Sequence, residues 1–313
     1  MTFKELRRTF RKQLTLQGFV WIGMLFLLVF AYIPMVGILI AFKQYSITDG
    51  LRGIFSSPWV GLGHFREFVG DYKFGTLVRN TLTISGLKIL FCFPIPIVFA
   101  ILLGELRGRR FKRFAQTISY FPHFISWVIV AGLCGAFLSE TSGLLNDLLL
   151  RAGLTDKPIG FLTDPDYYWP LAVLSDIWKE TGWWTIIFLA ALAGIDPGLY
   201  EAAEIDGAGR IKRILLITLP LMKDSIVVVL ILALGSFLGG GLIGSNFEQS
   251  YLLGNYLNND KAEIVQTYAF KVGLADGRFA YAASVDFIQS CLSVCLVLAS
   301  NALAKRLSGT GLF

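Results

Sequence analysis

Charge is scarce in this chain. Only 16% of its 313 residues are Asp, Glu, Lys or Arg, against about a quarter in a soluble globular domain. Histidine is scarcer still, with two residues in all. A convergent acid–base or metal site therefore has little to draw on, and neither a catalytic residue nor a metal ligand set is expected. No G-x-x-x-x-G-K-S/T phosphate loop occurs anywhere, which excludes the common nucleotide cradle of P-loop ATPases. The cysteines, Cys92, Cys134, Cys291 and Cys295, all fall within apolar runs and read as small packing or lipid-facing side chains. What is abundant is apolar surface: hydrophobic residues make up 55% of the chain and the mean hydropathy is +0.63.

Those residues lie in long runs. About 20 apolar residues in a helix cross the roughly 30 Å hydrocarbon core of a bilayer. Six spans are predicted, at 19–42, 81–104, 118–138, 168–195, 225–244 and 282–304. The fold class is all-α, a polytopic membrane protein whose membrane domain covers 19–306, with a basic segment 1–18 before it and a short tail 307–313 after it. The start is basic and then apolar like a signal peptide, but the run is too long and lacks a small-residue cleavage site, so it reads as a retained anchor. Pro94, Pro96 and Pro122 inside spans predict kinks.

Basic flanks set the orientation. Sixteen cations gather on one side: five in 1–18, five from Arg107 to Arg113, four from Arg210 to Lys223, then Lys305 and Arg306. The other side holds ten in the longer loops 43–80, 139–167 and 245–281, mixed with acids. The denser side is read as cytoplasmic, with both termini inside. The net charge of +6 then reflects topology and gives no call for nucleic acid. Segment 1–18 reads either as a basic amphipathic helix on the inner leaflet or as a plain basic tail. A short interfacial helix is expected within 43–80.

The most informative segment is the loop 196–224. Pro197 and Gly198 open a first helical stretch containing Tyr200-Glu201-Ala202-Ala203-Glu204-Ile205, and Asp206-Gly207-Ala208-Gly209 breaks it. A second stretch places Ile211, Ile214, Leu215, Thr218 and Leu219 on one helical face before Pro220. A short amphipathic helix on the cytoplasmic surface suits docking into a groove of a soluble partner.

This stretch resembles the EAA loop of binding-protein-dependent ABC importers. Glu201, Ala202, Ala203, Asp206, Gly207, Ala208, Leu219 and Pro220 match its pattern. Ile214 stands where an aromatic is common and Asp224 where a second proline often follows, which leaves the start of the fifth span less rigidly specified. Tyr32-Ile33-Pro34, Gly61-Leu62 with His64-Phe65, and Asn80-Thr81-Leu82 look like maltose-type sugar permeases. Pro122-His123-Phe124-Ile125-Ser126-Trp127 and Asn246-Phe247-Glu248-Gln249 resemble a subgroup handling complex oligosaccharides and polysaccharide fragments. Asp286 departs from the pattern, since relatives tend to have a small residue there.

The resemblance implies a type I (MetI-like) permease fold in a bacterial cell membrane, importing a carbohydrate by alternating access. It implies a second homologous permease subunit as a heterodimer partner, two copies of a cytoplasmic ATPase and an extracytoplasmic sugar-binding protein. ATP-Mg would sit on the ATPase, so no cofactor is expected on this chain. Glu201 would be a polar contact to the ATPase and Gly207 the turn that lets the helices diverge.

Polar residues inside spans are functional candidates by default. Asp176 and Lys179 are three apart and could pair, with Glu180 sharing the lysine. Two readings stay open: cheap snorkelling near the outer interface, or a sugar path helped by Trp183. Asn246, Gln249, Asp286 and Gln289 are further path candidates. A lone Asp facing lipid would cost roughly 2.5–3.5 kcal/mol, so Asp286 should face a subunit interface or a water-filled path. His123 reads as kink packing and His64 as loop surface. Gly239-Gly240-Gly241 reads as a site of helix bending or close helix packing. Two rivals remain. An ion-driven secondary transporter would rest on Asp176 and Asp286. A membrane-embedded enzyme would need a convergence of groups not evident here.

Overall fold

A computed structural model describes residues 13–106, 108–236, 238 and 246–308. The basic residues 1–12, Arg107, the Gly239-Gly240-Gly241 run with the expected outer end of the fifth span, and residues 309–313 lie outside the described residues. Among the described residues every regular element is helical, with one isolated β-bridge between Lys43 and Trp59. The chain divides into two compact units, Met1–Gly70 with Ala269–Phe287, and Asp71–Tyr268 with Ile288–Phe313.

The first unit contains α1 (Leu14–Phe42), α2 (Gly50–Ser56) and α3 (Gly63–Val69). Helix α1 is 29 residues long, about 43 Å at the α-helical rise. It is apolar all round and buries none of its residues from Leu14 to Met35, as suits a helix solvated by lipid or by other chains. Helices α2 and α3 lie in the loop where one interfacial helix was expected. Lys43 donates to the Phe55 carbonyl at 2.5 Å and sits 5.0 Å over the Trp59 ring. Phe42, Phe65 and Phe287 form a three-ring cluster with centroids 5.1–6.0 Å apart. Arg278 reaches Glu67 at 2.5 Å and covers Tyr281.

The second unit is built on α4 (Phe74–Gly104). It continues through α5 (Arg109–Phe124) and α6 (Trp127–Leu138), then α7 (Leu144–Arg151). Next come α8 (Pro165–Ala193), α9 (Pro197–Ile205) and α10 (Arg210–Gly235). The short helices α11 (Asn246–Leu253) and α12 (Asn259–Ala262) follow, while α13 (Val265–Leu274) and α14 (Phe279–Ser308) each contribute residues to both units. Helices α4 and α8 run in the same direction: Lys88 meets Asp176, Thr185 donates to the Pro96 carbonyl, and a Cβ on Gly104 would touch Leu192. Two parallel spans need the chain to cross back between them. The α5/α6 pair does this. It starts soon after Gly104 in the chain, passes Gly182 at Ser119, and packs Ala131 and Cys134 at the far end against the cluster that holds Ile84 and Ala172. Among the described residues four helices are long and apolar enough to cross a membrane, and six if the α5/α6 pair, bent by 101°, and the α8/α9 pair, bent by 69°, are each taken as one span.

Two expectations need correction here. The third span is not one helix over 118–138: Phe121–Phe124 tightens to a 3₁₀ turn, and Ser126 caps a new helix through its hydroxyl on the Ile129 N–H at 3.5 Å. Pro122 therefore marks a corner rather than a kink. Residues 211–219 are not a separate surface helix, because α10 runs unbroken from Arg210. Ile214 and Leu219 pack on its core with Ile97, Phe188 and Met222.

Proline is accommodated in one way three times. A π-turn over Leu28–Tyr32 precedes Pro34, one over Lys88–Cys92 precedes Pro94, and one over Ile214–Thr218 precedes Pro220. The residue before each proline donates its N–H five residues back, to the carbonyls of Leu28, Lys88 and Ile214. The widened turn relieves the clash of the ring with the carbonyl four residues back, so the helices continue.

Lipid tails are as apolar as Leu, so burial against lipid gives little drive for association; close packing and polar contacts hold such a bundle. Gly182 shows the first: a Cβ there would lie 1.9 Å from the Ser119 carbonyl oxygen. Gly235 shows it again, against Val297 of α14.

Candidate functional site

At one end of the second unit the ends of α4, α8 and α10 come level. Glu105, just past α4, accepts from Arg210 Nε at 2.5 Å, and Gly104 abuts Leu192. The short helix α9 stands at this end. Asp196 caps it by accepting the Gly198 N–H at 2.9 Å, with Pro197 in the first turn. Its C-terminus closes in a Schellman arrangement. Ala208 N–H donates to Ala203 O at 2.8 Å, and Gly207 N–H to Glu204 O at 3.1 Å. Gly207 has φ +72°, a left-handed conformation that costs an L-residue about 1–2 kcal/mol.

The Glu-Ala-Ala…Asp-Gly-Ala pattern thus writes one helix and its stop. Two side-chain links tether it to α10: Glu204 to Arg213 at 2.9 Å, and the Tyr200 hydroxyl to Thr218 at 3.0 Å. Glu201, Ala202 and Asp206 are exposed, Ala203 and Ala208 partly so. Ile205, a large apolar side chain, is 87% exposed. Leu219 and Pro220 stand apart from this group, within α10.

Nearer the other end, polar groups gather between α4 and α8. The expected Asp176–Lys179 pair does not form. Asp176 faces α4, and its Oδ1 lies 3.4 Å from Lys88 Nζ, with both side chains buried. Lys179 instead donates to Glu180 Oε1 at 2.8 Å and to the His123 carbonyl at 2.9 Å. Glu180 Oε2 lies 2.6 Å from His123 Nδ1, and the His123 ring stacks on Trp183 at 4.2 Å with an interplanar angle of 3°. These charges are not snorkelling at an interface: they are inside the bundle, each with a partner, and the exposure that remains is at Trp183 and, in part, His123. His123 does more than pack a kink, because it ties the α5/α6 corner to α8.

Asn246 donates to the Ser85 hydroxyl at 3.0 Å, and Gln249 to the Ala172 carbonyl and Ser175 hydroxyl at 2.7 and 2.8 Å. The structure therefore brings Asp176, Asn246 and Gln249 together around α4 and α8. Asp176 Oδ2, Asn246 Oδ1 and Gln249 Oε1 are buried and lack a hydrogen-bond partner among the described residues. Gln289 lies elsewhere on α14, donating to the Leu238 carbonyl at 2.7 Å, and Asp286 is exposed. Lys88 is the residue sequence reasoning missed. Its signal was a single cation inside an apolar run, which needs a buried partner.

The likeness to known proteins agrees with this architecture. A family model described as binding-protein-dependent transport system inner membrane component matches residues 93–309. Protein LplB of Bacillus subtilis (strain 168) is 44% identical over 291 residues, covering 93% of this chain and 88% of that protein. The polygalacturonan/rhamnogalacturonan transport system permease protein YteP of the same organism is 41% identical, covering 99% of this chain and 95% of that one. A crystal structure of a bacterial alginate ABC transporter, in complex with alginate pentasaccharide-bound periplasmic protein, superposes with a TM-score of 0.87 at 35% identity. That match covers 97% of this chain and 99% of the other. The chain belongs to the family of binding-protein-dependent transport-system inner membrane components, and it is a permease subunit of an ABC importer.

Proposed function

We propose that this permease imports an oligosaccharide fragment of an acidic polysaccharide. The support is the likeness to a polygalacturonan/rhamnogalacturonan permease and to an alginate transporter. It works as one of two similar permease subunits, with an external sugar-binding protein and two copies of a cytoplasmic ATPase that holds ATP-Mg. The end carrying α9 faces the cytoplasm, where the cation-rich flanks belong, and both termini lie on that side.

The observation that carries this reading is α9: a capped helix with an exposed face at one end of the bundle, hydrogen-bonded to the start of α10. An ATPase gripping α9 through Glu201, Ala202 and Ile205 would pull on α8 through residues 194–196 and on α10 through Glu204 and Tyr200. The force reaches both spans without passing through lipid. Alternating access then follows from movement of α8 and α10 around the polar groups they enclose. The ion-driven alternative has weaker support, since Asp176 is held by Lys88 rather than offered to an ion.

Glu201→Lys and Gly207→Pro test the coupling role. Both proteins should reach the membrane, keep ATPase subunits hydrolysing in isolation, and lose sugar uptake. Normal uptake by both would sink the assignment of α9 as the coupling element.

A further inference from the structure

The first turns of α5 carry a cation cluster that the coupling role does not use. Arg109, Arg110 and Arg113 are exposed and Lys112 half-exposed. Among the described residues none of the four has an acidic partner: Glu105, the acid just before them, is taken by Arg210. Arg109 and Arg113, four apart on the helix, repel each other modestly, and a bound anion would relieve that repulsion. Arg109, Arg110, Arg113, Phe114 and Thr117 border an open concavity of about 760 Å³.

The composition of this face changes with depth. Helix α5 begins level with the ends of α4 and α8, and Ser119 meets Gly182, ten residues up α8 from Leu192, or about 15 Å into the bundle. Arg110, Phe114, Thr117 and Phe121 follow one another along one face of the helix. Phe114 is 61% and Phe121 66% exposed. The face is cationic in its first turns and aromatic further along, the polarity sequence of a phospholipid.

We propose that this face binds an anionic phospholipid, its phosphodiester headgroup held by Arg109, Arg110 and Arg113 and an acyl chain lying along Phe114 and Phe121. Guanidinium suits the headgroup because it presents paired donors to phosphate oxygens. The choice of occupant rests on charge: a neutral lipid leaves the cluster uncompensated. This inference needs the bundle to sit in a bilayer, as the proposed function also does, but not any particular sugar or ATP coupling.

The test is lipid retention by the purified transporter complex in nanodiscs of equimolar phosphatidylglycerol and phosphatidylcholine, with bound lipid counted by native mass spectrometry. The wild type should retain phosphatidylglycerol in preference. Arg109→Gln with Arg113→Gln should lower that preference about twenty-five-fold, at about five-fold for each cation near a membrane surface. Lys305→Gln with Arg306→Gln, at the far end of α14, should leave it intact. Equal retention by the wild type and the Arg109/Arg113 variant would overturn the proposal. So would an equal loss in both double variants, which would indicate general basicity. A preference seen in the free chain but absent from the complex would also overturn it, since a protein partner would then cover the face. Retention is read without transport, so its failure leaves the transport reading standing.

Discussion

Lys88→Met should be among the most damaging single substitutions in the bundle, although it replaces a cation with an apolar side chain inside a membrane protein. The Lys88 ammonium lies 3.4 Å from Asp176, with side-chain exposures of 2% and 0%. Removing one member of a buried pair leaves the other uncompensated, at a cost of about 3–5 kcal/mol. A chain somewhat larger than 250 residues loses about 2 °C in Tm per kcal/mol, so the midpoint should fall by on the order of 10 °C. Asp176→Leu should be comparably harmful. The double variant, with both charges gone and volume roughly kept, should return to within about 1 kcal/mol of wild type. Tryptophan fluorescence during thermal unfolding in detergent gives the whole cycle. A harmless Lys88→Met, or a double variant showing the sum of the two single losses, would refute the reasoning.

Two further substitutions probe the α5–α8 contact. Gly182→Ala places a methyl 1.9 Å from the Ser119 carbonyl, so the helices must part; a loss of about 1–3 kcal/mol is expected in the same unfolding assay, and wild-type stability would contradict the close approach. His123→Ala removes the partner of Glu180 and the stack on Trp183; it should raise quenching of Trp183 by aqueous iodide, and unchanged quenching would show that the corner is held otherwise.

Much of this architecture is written locally. Apolar runs announce α1, α4, α10 and α14, and the stop after α9 is legible because Gly207 must take a positive φ. The α5/α6 corner was half legible. Pro122 was visible, but Ser126 before Trp127-Val128-Ile129 is an ordinary helix-start signal that marks a new element, and an apolar run hides it. The extent of α10 was obscured for the opposite reason: Arg210, Lys212 and Arg213 look like loop, yet they are only the wet end of a membrane helix, and Pro220 looks like a breaker until the π-turn before it is seen. The polar cluster was least legible. Asp176 suggested Lys179 three residues on, but those residues project differently in the folded bundle. Its real partner, Lys88, is 88 positions away, and no local pattern connects them.

The central claim is that this chain moves sugar by using a separate ATPase. Its most direct test is uptake of a short uronate oligosaccharide into proteoliposomes containing the full complex and the loaded binding protein. The account predicts uptake when ATP-Mg is supplied on the ATPase face, none with a non-hydrolysable analogue, and no response to an imposed proton or sodium gradient. Uptake that proceeds on an ion gradient without ATP hydrolysis would contradict it.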